Sequence, residues 1–390
     1  MGNGTGGKAA QGLGLATAKP VLPFPVVSPY PWTGAPDPVL QQALAAAASD
    51  PANTSRLGRR PHVPFSMIAL ATDGKHRYAG VFDTEMDFSG SLLKVGVMYA
   101  AFELRAAANR LVAAKGITSQ ADLTKALPAA FDKPVNDTAD MRLRGKPGGR
   151  KSPTYDIILR FTGTPKPLGP VEFTDAFGTN VDEMIRISGD HQAGECIRAL
   201  GYAYLNAALK TAGFFTPGAR KGKEQGIWIA GDYESSPQVR IAARNDTDGA
   251  LVMTTEAMCR LVAMIETGEL VNDSALHGES NLDMNDLLLS AAHGLDIPYI
   301  SKVSSTSPFS IEKNKIGWAH LGRGETGPAI ASEASVLAWD TSEAAIAKKL
   351  ADHKLTGKLV ICWQNVNNDE VTHFDGIADI VIQAYQALLK

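Results

Sequence analysis

Alternation of apolar and polar positions divides the chain into an ordered series of short elements. Phe65-Ser66-Met67-Ile68-Ala69-Leu70-Ala71 is an apolar run of strand length, Asp73-Gly74 is a turn pair, and residues 76–82 read as the return strand of a hairpin. From Phe88 the period changes. Leu92, Val95, Met98 and Tyr99 recur at helical spacing behind Ser89 and Gly90, either of which can cap. With Leu93 and Val97 added, this helix is apolar nearly all round, which predicts burial. Further helices are predicted over 37–48, 119–131, after Ser188-Gly189-Asp190-His191-Gln192-Ala193 to about Leu200 where Gly201 breaks it, 204–212, 257–266 behind the cap Thr254-Thr255-Glu256, 282–292 and 376–389. Strands are predicted at 155–161, 332–338 and 358–363, and 213–250 reads as a long loop.

Strands at both ends thus bracket a mainly helical middle. This predicts a three-layer α/β (α+β) fold: an antiparallel sheet flanked by helices, with an all-helical lobe inserted at about residues 100–300. The domain is expected over 64–390. Residues 1–63 are expected as an extended arm, with Pro20, Pro23, Pro25, Pro29, Pro31 and Pro36 falling within residues 18–36.

Composition narrows the function. The 390 residues are 44% hydrophobic and 20% charged, enough for a sizeable core. A net charge of -3 gives no polyanion signal. The basic stretch Arg142-Leu143-Arg144-Gly145-Lys146-Pro147-Gly148-Gly149-Arg150-Lys151 is broken by Gly and Pro and reads as a solvated loop, so no nucleic-acid partner is expected. Cys196, Cys259 and Cys362 are odd in number and far apart, with neither metal spacing nor a disulfide framework. No H-E-x-x-H occurs, and no metal or cofactor is expected. No run is long and apolar enough to span a membrane. Gly2 with Gly7-Lys8 mimics a phosphate loop, but Ala9 stands where a hydroxyl residue is needed and no strand precedes it. Trp228 and Trp363 read as core.

The candidate chemistry lies at Ser91 and Lys94. Three residues apart, they share one helix face. A hydroxyl beside an amine at a helix start suits a nucleophilic serine. The amine takes the proton when burial lowers its affinity for it, and free N–H groups favour the oxyanion that follows. A lysine in a buried helix is costly unless it is partnered or functional. Ser188, opening a later helix with Asp190 and His191, supplies a second hydroxyl. His191 reads as a solvent-facing helix-start residue or a local base.

The order of these pieces resembles the serine β-lactamase and penicillin-binding-protein superfamily, class A branch. The S-x-x-K helix follows a hairpin and Ser188 opens a later helix. Then come Asn245-Asp246-Thr247-Asp248, Thr254-Thr255-Glu256-Ala257-Met258 and Thr267-Gly268-Glu269-Leu270, followed by Lys315-Ile316-Gly317, two strands and a closing helix. The resemblance covers about residues 64–390 and implies a β-lactamase/transpeptidase-like fold. It makes Ser91 the acylated nucleophile, Lys94 its general base and Ser188 the shuttle to the leaving group. Asp190 stands where the family has Asn. Lys315 and Gly317 match the third motif, in which Ile316 replaces a hydroxyl residue. The oxyanion hole falls to the backbone N–H groups of Ser91 and Trp318. A glutamate that activates the deacylating water has no clean match; Glu224 and Glu234 are the candidates.

The implied activity is that of a serine acyl hydrolase on a small ester, amide or peptide substrate, with weak use of ordinary penicillins. A D-amino-acid peptidase, a true β-lactamase and a catalytically degenerate binding protein of the same fold are the alternatives. The family implies export with a removed signal peptide. The absence of a basic start and apolar segment fits that or a cytoplasmic protein.

Overall fold

The structure, a computed structural model, describes residues 21–24, 35–57, 63–143, 152–163, 170–216, 223–234, 239–246, 250–269, 279–293, 299–302, 308–321, 327–367 and 372–390. Gly2 to Lys8, most of the proline-rich arm, Arg144 to Lys151, Thr247-Asp248 and Leu270 lie outside the described residues.

Helices α1 (Pro38–Ser49) and α2 (Pro51–Thr54) precede the hairpin β1 (Phe65–Ala71) and β2 (Arg77–Val81). A 3-10 turn, Gly90–Leu93, opens α3 (Lys94–Lys115). The lobe follows: α4 (Gln120–Thr138), α5 (Tyr155–Ile158), β3 (Leu159–Phe161), β4 (Val171–Phe173), α6 (Asp175–Arg186), α7 (Asp190–Leu200), α8 (Tyr202–Thr211), β5 (Trp228–Ile229), β6 (Leu251–Val252), α9 (Thr255–Thr267) and α10 (Glu279–His293). The chain then returns through β7 (Phe309–His320), β8 (Ala329–Trp339), α11 (Ala344–Asp352), β9 (Leu355–Asn367) and α12 (Thr372–Leu388).

Among the described residues the main sheet has the order β2-β1-β9-β8-β7, antiparallel at every pairing. All seven residues of β1 are buried because both faces of the sheet are covered. Period-two alternation sorts them. Phe65, Met67 and Ala69 join the core under α1 and α12, while Ile68 and Leu70 join the core shared with α3 and α9. On that second face Ser66 donates from Oγ to Thr255 Oγ1 at 2.9 Å, tying sheet to α9. This is the sheet with flanking helices and inserted helical lobe that the sequence predicts.

Some elements differ from the reading. The strand read at 155–161 is half helix: Tyr155 and Ile158 are buried in α5, and only Leu159–Phe161 pairs, with β4. Helix α4 continues through Pro128 and Pro134, held by the buried stripe Leu123, Leu127, Phe131 and Val135. Helix α11 buries only Leu350, so its period is faint in the sequence. Asp37 caps α1 by accepting from Val39 N and Leu40 N, and Leu40, Leu44 and Ala47 pack with Ile377, Val381 and Tyr385 of α12. The folded core therefore includes α1, ahead of position 64 where the sequence reading begins the fold. All three cysteines are buried and free. Burial pushes the Cys196 thiol up, which keeps it protonated and inert.

Candidate active site

The turn carrying Ser91 is wedged between sheet and lobe. Ser89 does not cap the helix, as the sequence suggests it can. Its hydroxyl instead donates to Gln364 Oε1 at 2.5 Å, and Gln364 Nε2 reaches the carbonyls of Glu85 and Met253, each at 3.4 Å. Asn245 brackets Phe88 from the side: Phe88 N donates to its Oδ1 at 2.8 Å, and its Nδ2 donates to Phe88 O at 3.0 Å. Arg244 pairs with the fully buried Asp87 at 2.9 Å and with Glu85 at 3.0 Å. The residues before the nucleophile are thus fixed by side chains from two other segments, residues 244–245 and β9. Sequence reasoning marked Asn245 only through the resemblance and did not find Gln364 or Arg244.

Ser91 is half-buried in the 3-10 turn, and Lys94 is the first residue of α3 with no exposed surface. Lys94 Nζ donates to the Ser188 carbonyl at 2.6 Å and pairs with Asp190 Oδ1 at 2.5 Å. The Asp190 side chain is 63% exposed, so the pair reaches from the interior to solvent. Ser188 takes φ 58°, a left-handed conformation unusual for a residue with a side chain. It lies between the end of α6 and the start of α7, where Gly189 N bonds back to Glu183 O at 3.2 Å. The conformation points its carbonyl at Lys94 and its hydroxyl at Lys315, whose Nζ donates to Ser188 Oγ at 2.8 Å. Lys315 is fully buried too. Two buried lysines therefore hold opposite ends of one serine residue.

Strand β7 brings Lys315 in, and alternation decides its neighbours. Lys315 and Gly317 face the turn, whereas Ile316 leans on the core under α12, on the other face of the sheet. Gly317 touches the turn so closely that a Cβ there would lie 1.9 Å from Ser89 O; a Cβ on Gly90, at φ 57°, would lie 2.6 Å from Trp318 O. The backbones of Trp318 and the Ser91 turn are therefore in contact. The Trp318 ring is 50% exposed and meets His320 edge-on at 4.9 Å.

Tyr233, not singled out in the sequence, enters from the lobe. Its ring lies 4.8 Å from Lys94 Nζ and its hydroxyl donates to Gly90 O at 3.2 Å. Burial and the nearby Asp190 carboxylate push its phenol well above the ordinary tyrosine value, so it is neutral. Both glutamates considered for deacylation form ion pairs with residues of the lobe. Glu224 is buried and pairs with Lys210 of α8 at 2.7 Å. Glu234 bonds His191 Nδ1 at 2.8 Å and Arg198 at 2.7 Å, which hold its carboxyl below the usual range. Among the described residues no cluster of His, Cys, Asp and Glu could hold a metal. No described helix is long and apolar enough to cross a membrane. A cavity of about 470 Å³ lined by Asp73, His76, Arg77 and Lys354 opens at the opposite end of β1, away from Ser91.

No protein-family model matches the sequence, and no curated protein matches it. Among solved structures the chain is similar to a β-lactamase from Sphaerobacter thermophilus (14% identity, 89% of this chain and 97% of that one, TM-score 0.43). It is also similar to a class A β-lactamase of the last common ancestor of Gram-negative bacteria (15%, 89% and 99%, TM-score 0.45). A β-lactamase from Xanthomonas campestris is a third (11%, 90% and 99%, TM-score 0.44).

Proposed function

We propose that this protein is a serine acyl hydrolase in which Ser91 attacks a carbonyl carbon and becomes acylated. The observation that carries this reading is the convergence of Lys94, one helical turn from Ser91, and of Lys315 on the two ends of Ser188. Buried lysines are costly, and two brought to one hydroxyl residue beside a wedged turn can supply the base and the proton relay that acylation of a serine requires.

In this reading the Ser91 proton passes to Lys94 in its neutral form as the Ser91 oxygen bonds the carbonyl carbon. The backbone N–H groups of Ser91 and Trp318 take the oxyanion. Ser188 gives its proton to the leaving alcohol or amine as that bond breaks, and its oxygen takes a proton in turn from Lys315, which donates to it. Water then cleaves the acyl-enzyme. Ile316, expected to meet the substrate, lies on the other face of the sheet, but Asp190 adds a carboxylate beside Lys94, so a small neutral ester fits better than an anionic β-lactam.

One observation favours a second reading. Lys94 is engaged by Asp190 and Ser188 O, and both candidate deacylation glutamates are engaged elsewhere, which suits an acyl-enzyme that forms once and persists. The test is intact-protein mass after treatment with a fluorophosphonate, with Ser91→Ala as blank, followed by turnover of p-nitrophenyl acetate and a chromogenic cephalosporin. We expect one adduct, absent in the blank, and faster turnover of the ester. Adduct formation without ester turnover selects the second reading. Undiminished labelling of Ser91→Ala refutes both.

A further inference from the structure

Residues 232–234 cross α7 as a strap. On its outer side Arg198 bonds Asp232 Oδ2 at 3.2 Å and Glu234 Oε2 at 2.7 Å, and His191 bonds Glu234 Oε1. Between these two acids Tyr233 takes φ 67°. A residue with a side chain persists in that conformation only where surrounding contacts over-determine it. Here they turn the aromatic ring inward, onto Lys94, and place its hydroxyl on the carbonyl of Gly90. One side chain therefore touches both the residue preceding Ser91 and the amine assigned as its base.

We propose that Tyr233 is a positioning residue for acylation, its ring facing the Lys94 ammonium and its hydroxyl fixing the Ser91 turn at Gly90. This rests on the reading of Ser91 and Lys94 given above. When the Ser91 oxygen bonds the electrophile, its proton goes to the Lys94 nitrogen, and the ammonium that forms meets a π face in a water-poor site. Such a contact favours the charged form. Other groups around Lys94 include Asp190 from α7, Ser188 O, and Lys315 from β7 through the Ser188 hydroxyl. Behind the ring stand Asp232, Glu234, Arg198 and His191, and on the segment before the turn stands the Asp87–Arg244 pair. The phenol stays neutral. It acts as a donor and a ring, and does not itself take the proton.

The sign of the effect follows. Removing the ring removes a preference for the ammonium, so the neutral amine forms at lower pH. The experiment is the rate of fluorophosphonate labelling of the full chain from about pH 5 to about pH 10, a range that brackets a lysine base. Tyr233→Leu moves the half-maximal pH down by about one unit and lowers the plateau rate. Tyr233→Phe keeps the ring, so it keeps the wild-type half-maximal pH while slowing by about threefold for the lost hydrogen bond. Arg198→Ala loosens the strap from outside and shifts the profile in the same direction by less. A Tyr233→Leu profile with the wild-type half-maximal pH, at any plateau, overturns the inference and leaves Ser91 as nucleophile. If Tyr233→Leu does not fold, an Arg198→Ala profile identical to wild type overturns it. Labelling of Ser91→Ala at the wild-type rate overturns instead the reading on which the inference rests.

Discussion

Substituting Gly317 by alanine tests whether strand and turn must touch for acylation. The added Cβ would stand 1.9 Å from Ser89 O, 3.0 Å from Leu92 N and 3.1 Å from Ser89 C. Atoms of this kind rest roughly 3.5 Å apart, so strand and turn must separate by more than about 1 Å. Neither side yields freely. Gly317 is paired to Ser332 of β8 in the middle of a register running from Phe309 to His320. Ser89 is held by Gln364 at 2.5 Å. Overpacking of this kind costs about 1–3 kcal/mol, a loss of a few degrees in melting temperature. The effect on chemistry is larger, because displacing a reacting group by about 1 Å costs on the order of a hundredfold. The assay is fluorophosphonate labelling at neutral pH beside a thermal melt. Gly116→Ala is the control: Gly116 ends α3 at φ 64° with nothing within 4 Å of its Cβ position. The control should lose stability and keep its labelling rate. Gly317→Ala labelled as fast as wild type would refute the argument that this contact sets the nucleophile.

Asp190→Asn removes a carboxylate 2.5 Å from Lys94 Nζ. Because that side chain faces water, a fully screened Coulomb energy of about 1.7 kcal/mol is the appropriate scale, roughly one pH unit. Labelling below neutral pH should therefore rise about tenfold, and an unchanged or slower rate would show that Asp190 does not restrain Lys94. The Glu234 carboxyl, held low mainly by the His191 hydrogen bond and then by Arg198, stabilises the fold above its unfolded value near ~4.3 and loses that contribution as pH falls through its lower folded value. Glu234→Gln should therefore melt lower than wild type at pH ~6 and converge with it in stronger acid; a gap that persists or widens in acid would contradict this.

Strong local patterns were legible and long-range contacts were not. The Asp73-Gly74 turn between apolar runs marks the β1–β2 hairpin, and the all-round apolar start of α3 marks it as buried. Strand β7 is faint because Glu312, Lys313, Asn314 and Lys315 interrupt its alternation. It is an edge strand whose polar residues serve ion pairs and the site. Lys94, Ser188 and Lys315 were found through the spacing of motifs and the resemblance they carry, and the structure brings these three together. Tyr233 gave no such signal. Its value comes from the left-handed turn that aims it and from partners near residue 90, neither of which has a local pattern. Gln364 was missed for the same reason: a polar residue late in a buried strand does not reveal which turn it will hold.

The placement of β9 between β1 and β8 governs how the molecule is made. As the chain leaves the ribosome, the β1–β2 hairpin follows only α1 and α2, with seven residues destined for complete burial and the covering helices α3, α9 and α12 still to come. Its other neighbour, residues 355–367, is synthesised only after the whole lobe. Sheet closure is thus a late, highly non-local event, of the kind that slows folding and leaves an apolar strand exposed to aggregation meanwhile. Gln364 arrives with that last strand, so the turn holding Ser91 is not braced until the sheet closes. Nascent chains arrested before residue 355 should therefore carry a folded helical lobe without capturing the fluorophosphonate.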